Sequence, residues 1–205
     1  MTELGLFPLG IVLIPSEQIP LHIFEERYQE LIGECLAGEQ EFGLIYADED
    51  GLRDIGTRAA VTEVLDRFDD GRLNIVVEGR ERFLLVELTE GRSFQTASVE
   101  VVEDEPDPAD PKDTAHALEL FHRLVELTGA DVEEPQLDAE LLSFELAGRF
   151  ELAPELKQQL LQLTSERERM SLLAELLAGA ATAVERERDI AERAHGNGKV
   201  DPRNG

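Results

Sequence analysis

The segment FPLGIVLIPSEQIPLHIFEERY, from Phe7 to Tyr28, restricts the fold of this chain more than any other. Phe7 to Ile14 is an apolar run broken only by Pro8 and Gly10, the pattern of a strand buried on both faces. Pro15 to Pro20 predicts a loop, because proline fixes its own φ and lacks an amide donor. A helix is expected directly after it. The apolar positions Phe24, Tyr28, Leu31, Ile32, Cys35 and Leu36 line one helical face ending near Gly38, and Glu25, Glu26, Arg27, Gln29, Glu30 and Glu34 take the other.

From Glu41 to Glu103 short strands alternate with turns, most clearly at Asp69-Asp70-Gly71, where glycine accepts the positive φ of a tight hairpin. Leu73, Ile75 and Val77 then alternate with Asn74, Val76 and Glu78, and Arg82 to Leu88 and Phe94 to Val102 continue as strands. With Phe7–Ile14, Glu41–Ala47 and Thr57–Phe68 this makes about six strands, enough to curl into a small barrel without exposed edges. The segment EDEPDPADPKD, Glu103 to Asp113, packs three prolines and six acids into eleven residues, which excludes strand or helix and marks a boundary. The division expected is a barrel over 1–105, a helical part over 106–195 and a disordered tail over 196–205. Asp110 caps a helix that carries Ala117, Leu118, Phe121, Leu124 and Val125 on one face and stops at Gly129. A second helix is predicted over Asp138 to Ala147 and a third from Pro154. A fourth, long one opens with the capping box Ser165 and Glu168.

These blocks resemble the substrate-binding domain found at the N-terminus of Lon proteases and also as a free-standing protein. The N-terminal segment carries the resemblance, together with Gly43, Gly56-Thr57, Asp70-Gly71-Arg72 and Gly79-Arg80-Glu81-Arg82-Phe83 in that order. Lys157-Gln158-Gln159-Leu160-Leu161 and Glu166-Arg167-Glu168-Arg169, before a leucine-rich helix, extend it over roughly Leu4 to Ala194. The resemblance implies an α+β fold: a β-barrel of the pseudouridine-synthase-and-archaeosine-transglycosylase (PUA) type, six-stranded by the count above, then a helical bundle with one long helix.

Composition narrows the chemistry. The net charge of -26 and only three lysines leave no basic patch to neutralise phosphates, which speaks against nucleic acid or an anionic membrane as partner. Basic or unfolded chains remain suitable partners. The single Cys35 permits no internal disulfide, and no apolar run approaches the roughly 20 residues of a membrane span, so a cytoplasmic chain is expected. No GxxxxGK[ST] loop is present to cradle phosphates. Lys112, Lys157 and Lys199 offer no base beside a serine, so neither the ATPase nor the serine–lysine protease of a full Lon is expected. The histidines have no metal-ligand spacing, and Asp48-Glu49-Asp50-Gly51 lacks the closing glutamate of a calcium loop, so no metal or cofactor is assigned.

Four residues stand out as weak candidates for a binding site: His22, Glu25, Arg27 and Arg82. A structural role for them is the simpler expectation, His22 bonding helix-start amides or loop carbonyls and the charged three pairing to fix the first helix on the barrel. The functional reading is a non-catalytic module that binds unfolded polypeptide or a specific protein partner, an adaptor to a separate protease being its sharper form. Contact is expected on exposed apolar residues of the barrel and in the cleft where barrel meets helices. Two alternatives compete with it: a small-molecule site or enzyme in that cleft, with His22 or Glu25 as acid or base, and a homodimer through the long helix.

Overall fold

The computed structural model describes residues 1–197 and contains seven strands and five helices among them. In order these are β1 (Thr2–Leu9), β2 (Gln18–Ile23), α1 (Glu26–Gly38), β3 (Phe42–Asp48), β4 (Gly51–Leu52), β5 (Ile55–Arg67), β6 (Leu73–Thr89) and β7 (Thr96–Val101). The helices α2 (Pro111–Thr128), α3 (Leu142–Ala147), α4 (Pro154–Gln162) and α5 (Glu166–Asn197) follow. This is the α+β architecture expected, a ring of strands and then helices with one long one. The ring runs β1-β7-β6-β5-β3 and closes by a parallel pairing of β1 with β3, while β2 is attached to β6 and β4 to β3. Two long strands make closure geometrically feasible. β5 and β6 pair along most of their length with three register shifts, and such bulges bend and twist a strand enough to bring a sheet round on itself.

The apolar opening segment turns out not to be one strand. β1 stops at Leu9, yet Val12, Leu13 and Ile14 are all buried. Leu13 packs into the core formed by the barrel and α1, whereas Val12 and Ile14 pack into the core of the helices. Neighbouring residues of one extended stretch therefore serve two cores, which produces a continuous apolar run without a strand. The loop expected at Pro15 to Pro20 is likewise shorter, because β2 begins at Gln18. β2 bonds only to β6, so Pro20, paired with Val76, sits on an edge strand, where proline is tolerated. Phe24 lies before α1 and is 62% exposed, whereas Tyr28, Leu31, Ile32 and Cys35 are buried.

Other local expectations are met with little change. Gly71 has φ 89°, and Leu73, Ile75 and Val77 point into the core. The Asp110 carboxylate accepts from the Lys112 amide at 2.8 Å, and Gly129 ends α2 in the left-handed region. The segment expected as a helix from Asp138 is helical only from Leu142. There the Ser143 amide and hydroxyl both donate to the Glu166 carboxylate, at 2.8 and 2.6 Å, so a partner on α5 fixes where the short helix starts. Of the tail expected over 196–205, Gly196 and Asn197 close α5, and the remainder lies outside the described residues. No helix among the described residues is long and apolar enough to cross a membrane.

Gly79 on β6 shows how tightly the parts are fitted. Its amide donates to the Glu17 carbonyl, its carbonyl accepts from the Ser16 amide, both at 2.9 Å, and a Cβ there would stand 2.1 Å from the Ile14 carbonyl oxygen. Gly79→Ala is expected to lower stability by about 2–3 kcal/mol, read as a fall in the urea midpoint. Cys35 provides a second check. Burial, reinforced by the neighbouring Glu34 charge, pushes its thiol up from 9.0 to about 11. Folding thus favours the protonated thiol: this contribution is fully present below pH 9.0 and is lost as pH rises toward about 11. Alkylation of Cys35 at pH 8 should run at least ~10-fold slower in the native protein than in urea, and equal rates would contradict the burial assigned to it.

Candidate functional site

The helices are held on the barrel by charged side chains taken out of water. Arg82 on β6 is 3% exposed and donates to the Leu161 and Leu163 carbonyls at 2.8 and 2.7 Å and to the Asp104 carboxylate at 2.7 Å. The other oxygen of Asp104 accepts from Arg169 on α5 at 2.6 Å, and Arg169 also reaches the Leu163 carbonyl, Ser143 and Glu166. Both guanidiniums face the Phe144 ring, at 5.6 and 4.5 Å from its centre. Burial pulls Arg82 below its ordinary range, and the Asp104 charge and hydrogen bond oppose that pull.

A second bridge lies across the seam. Lys157 on α4 pairs with Glu17, both buried, and the other oxygen of Glu17 accepts the Ile14 amide at 3.2 Å. Between Pro15 and Glu17, Ser16 adopts φ 66°, a left-handed backbone that a serine enters only at a cost of roughly 1–2 kcal/mol. The acidic, proline-rich stretch is anchored too. Glu105 and Thr164 bond through backbone and side chain, and Asp107 accepts from Ser165 at 2.8 Å and Arg167 at 2.9 Å. These bonds hold the Asp107 carboxyl below its usual range, while Ser165 caps α5 through the Glu168 amide at 3.1 Å.

The seam leaves open space beside these bridges. A cleft of about 480 Å³ lies between Ser16, Gln18 and Glu78 of the barrel side and Asp131, Glu133 and Arg149 of the helical side. A neighbouring one of about 370 Å³ shares Ser16 and Glu78 and is walled by Pro15, Val101, Val102 and Leu141. Elsewhere on the barrel, Phe24 and Phe68 form an exposed aromatic patch around His22, with ring centres 5.9 and 6.3 Å from the imidazole.

The four residues singled out in the sequence do not form one site. His22 is exposed on β2, and its Nδ1 bonds the Asn74 side chain across the sheet at 2.6 Å, where helix amides or loop carbonyls were expected. Glu25 and Arg27 pair with each other at 2.7 Å on the surface, with Arg27 over the Tyr28 ring. That pair does not tie α1 to the barrel. Arg82 alone makes a structural bridge, to Asp104 after β7 and to the Leu161 and Leu163 carbonyls at the end of α4. Glu17, Asp104, Lys157, Glu166 and Arg169 were not anticipated, although a signal existed for two of them. Lys157 stands one turn before Leu160 and Leu161, and Arg169 one turn before Leu173, so each charge lies on an apolar helical face. Among the described residues no group of His, Cys, Asp and Glu is placed to hold a metal ion.

Removing one partner of a buried pair leaves the other charge uncompensated, which costs about 3–5 kcal/mol. Glu17→Met or Lys157→Met alone should therefore be strongly destabilising, whereas the two combined should recover most of the loss. A double-mutant cycle by urea denaturation measures this, and additive losses would show that the pair is not coupled.

Residues 3–179 match the family model of the ATP-dependent protease La (LON) substrate-binding domain. The fold superposes on the Lon N-terminal domain protein from Xanthomonas campestris with TM-score 0.67 and 27% identity, covering 87% of this chain and 98% of that one. The N-terminal domain of the Mycobacterium avium complex Lon protease has the same fold, with TM-score 0.66 and 18% identity over 86% of this chain and 98% of that chain. The Lon protease of Paraburkholderia phytofirmans is 28% identical over 94% of this chain but only 26% of its own length. The chain thus spans about a quarter of the length of that relative and corresponds to the Lon N-terminal domain, with no protease or ATPase region in it. It is a member of the Lon substrate-binding domain family.

Proposed function

We propose that this chain is a non-catalytic module that recognises polypeptide, unfolded chains in particular, and so acts as an adaptor rather than an enzyme. The observation that carries this reading is the cleft of about 480 Å³ whose walls come from both the barrel and the helices. In this reading the barrel, residues 1–105, and the helices, 106–195, form the two walls of one recognition site. The buried bridges keep the walls at a fixed spacing, and preorganisation of that kind lowers the ordering cost of binding. The aromatic patch at Phe24 and Phe68 supplies a second, apolar contact. Membership of a family described by substrate binding agrees with this role. The buried, free Cys35 suits a reducing compartment such as the cytoplasm.

Titrating the protein into a fluorescently labelled, permanently unfolded polypeptide tests the proposal by anisotropy. Saturable binding that persists at ~0.15 M salt is expected, since contact with the apolar wall of the neighbouring cleft and with the Phe24 and Phe68 patch is little screened. Binding confined to low salt, or none, would overturn it.

A further inference from the structure

The spaces along the seam form a row, a trough whose neighbouring compartments share wall residues. The cleft at Asp131 and Glu133 shares Ser16 and Glu78 with the apolar-walled one. That one in turn shares Asp104 and Leu141 with a third space of about 300 Å³ under the acidic stretch, beside Glu105 and Glu140. The middle compartment offers Pro15, Val101, Val102 and Leu141 as apolar wall, and both end compartments are acidic.

The charge along this trough is unbalanced in one direction. Ten carboxylates line it against three guanidiniums, those of Arg80, Arg82 and Arg149. Each arginine already has an acidic partner: Glu78 for Arg80, Asp104 for Arg82 and Glu145 for Arg149. Among the described residues Asp131 and Glu133 at one end, Glu81 in the middle and Glu140 at the other have no ion pair. The trough thus has acids to share and no cation to spare. An anionic ligand would meet repulsion without a free guanidinium. A second copy of a chain with net charge -26 is disfavoured as occupant for the same reason.

We infer that the trough takes an extended, unfolded segment in which a large apolar side chain is flanked on both sides by lysine or arginine. The apolar side chain lies against Val101 and Leu141, and the flanking cations face Asp131 and Glu133 at one end and Glu140 at the other. An extended segment suits the site because basic side chains on either side of the apolar one must reach separate compartments. This inference rests on the polypeptide-binding reading and adds the sequence class that the site selects.

Three labelled peptides in a Gly/Ser background test it: a leucine between arginine pairs, the same leucine between aspartate pairs, and a serine between arginine pairs. The first should bind and compete with the unfolded polypeptide, and the other two should bind at least ~10-fold more weakly. Glu133→Lys combined with Glu140→Lys changes only exposed side chains, so it should reduce affinity for the first peptide ~10-fold or more with an unchanged melting temperature. Val101→Ser, at a half-exposed position, removes apolar wall without adding charge and should weaken the first peptide as well. Equal binding of all three peptides, or binding unaffected by these variants, would overturn the inference. If the unfolded polypeptide still binds the variants as tightly as the wild type, the trough assignment fails and the polypeptide-binding function stands. If the wild type binds no unfolded polypeptide at all, the function itself fails.

Discussion

Asp104 holds two arginines that come from opposite sides of the molecule, and the relation of barrel to helices depends on that sharing. Arg82 belongs to β6 and Arg169 to α5, and each is almost completely removed from solvent. Two buried cations close together would repel, so the arrangement persists only because Asp104 lies between them, Glu166 neutralises Arg169, and backbone carbonyls of Leu161 and Leu163 take up remaining donors. Phe144 contributes an electron-rich face to both guanidiniums. Such a network adds little net stability over a well-packed apolar one. It is demanding about geometry, however, because each donor has a single direction in which it is satisfied. A small shift between barrel and helices would orphan several bonds together.

Much of this could be read from the sequence, because regular elements leave periodic traces. The amphipathic stripe of α1 from Tyr28 onward and that of α2, the cap at Asp110, the stop at Gly129 and the turn at Gly71 are all local, and each is where its residues place it. The errors have a common origin in long-range contact. Val12, Leu13 and Ile14 look like a strand because two different cores need them, and Pro20 looks like a loop residue because nothing local reveals that β2 lies at an edge. The length of α3 depends on Glu166, more than twenty residues away.

The site was less legible than the fold for a related reason. A charge is conspicuous in sequence when it stands beside a recognisable motif, as His22 and Glu25 do, and inconspicuous when its partner is remote. Glu17 and Lys157 are separated by 140 positions, and Arg82 and Asp104 by 22. The clefts are harder still to anticipate, since they are spaces between elements whose relative placement only the assembled molecule defines. Ser16 is a useful exception in retrospect. It lines two of these spaces and is held in a left-handed backbone, so the seam carries a point of local strain.

The stretch Val12 to Ile14 has one more implication. Side chains adjacent along the chain are committed to separate cores, so neither core can be dismantled without pulling on residues that anchor the other. Two cores joined by a loose tether would melt independently, in two steps. Here the joint is itself core, and heat or denaturant should take barrel and helices apart together in one cooperative transition.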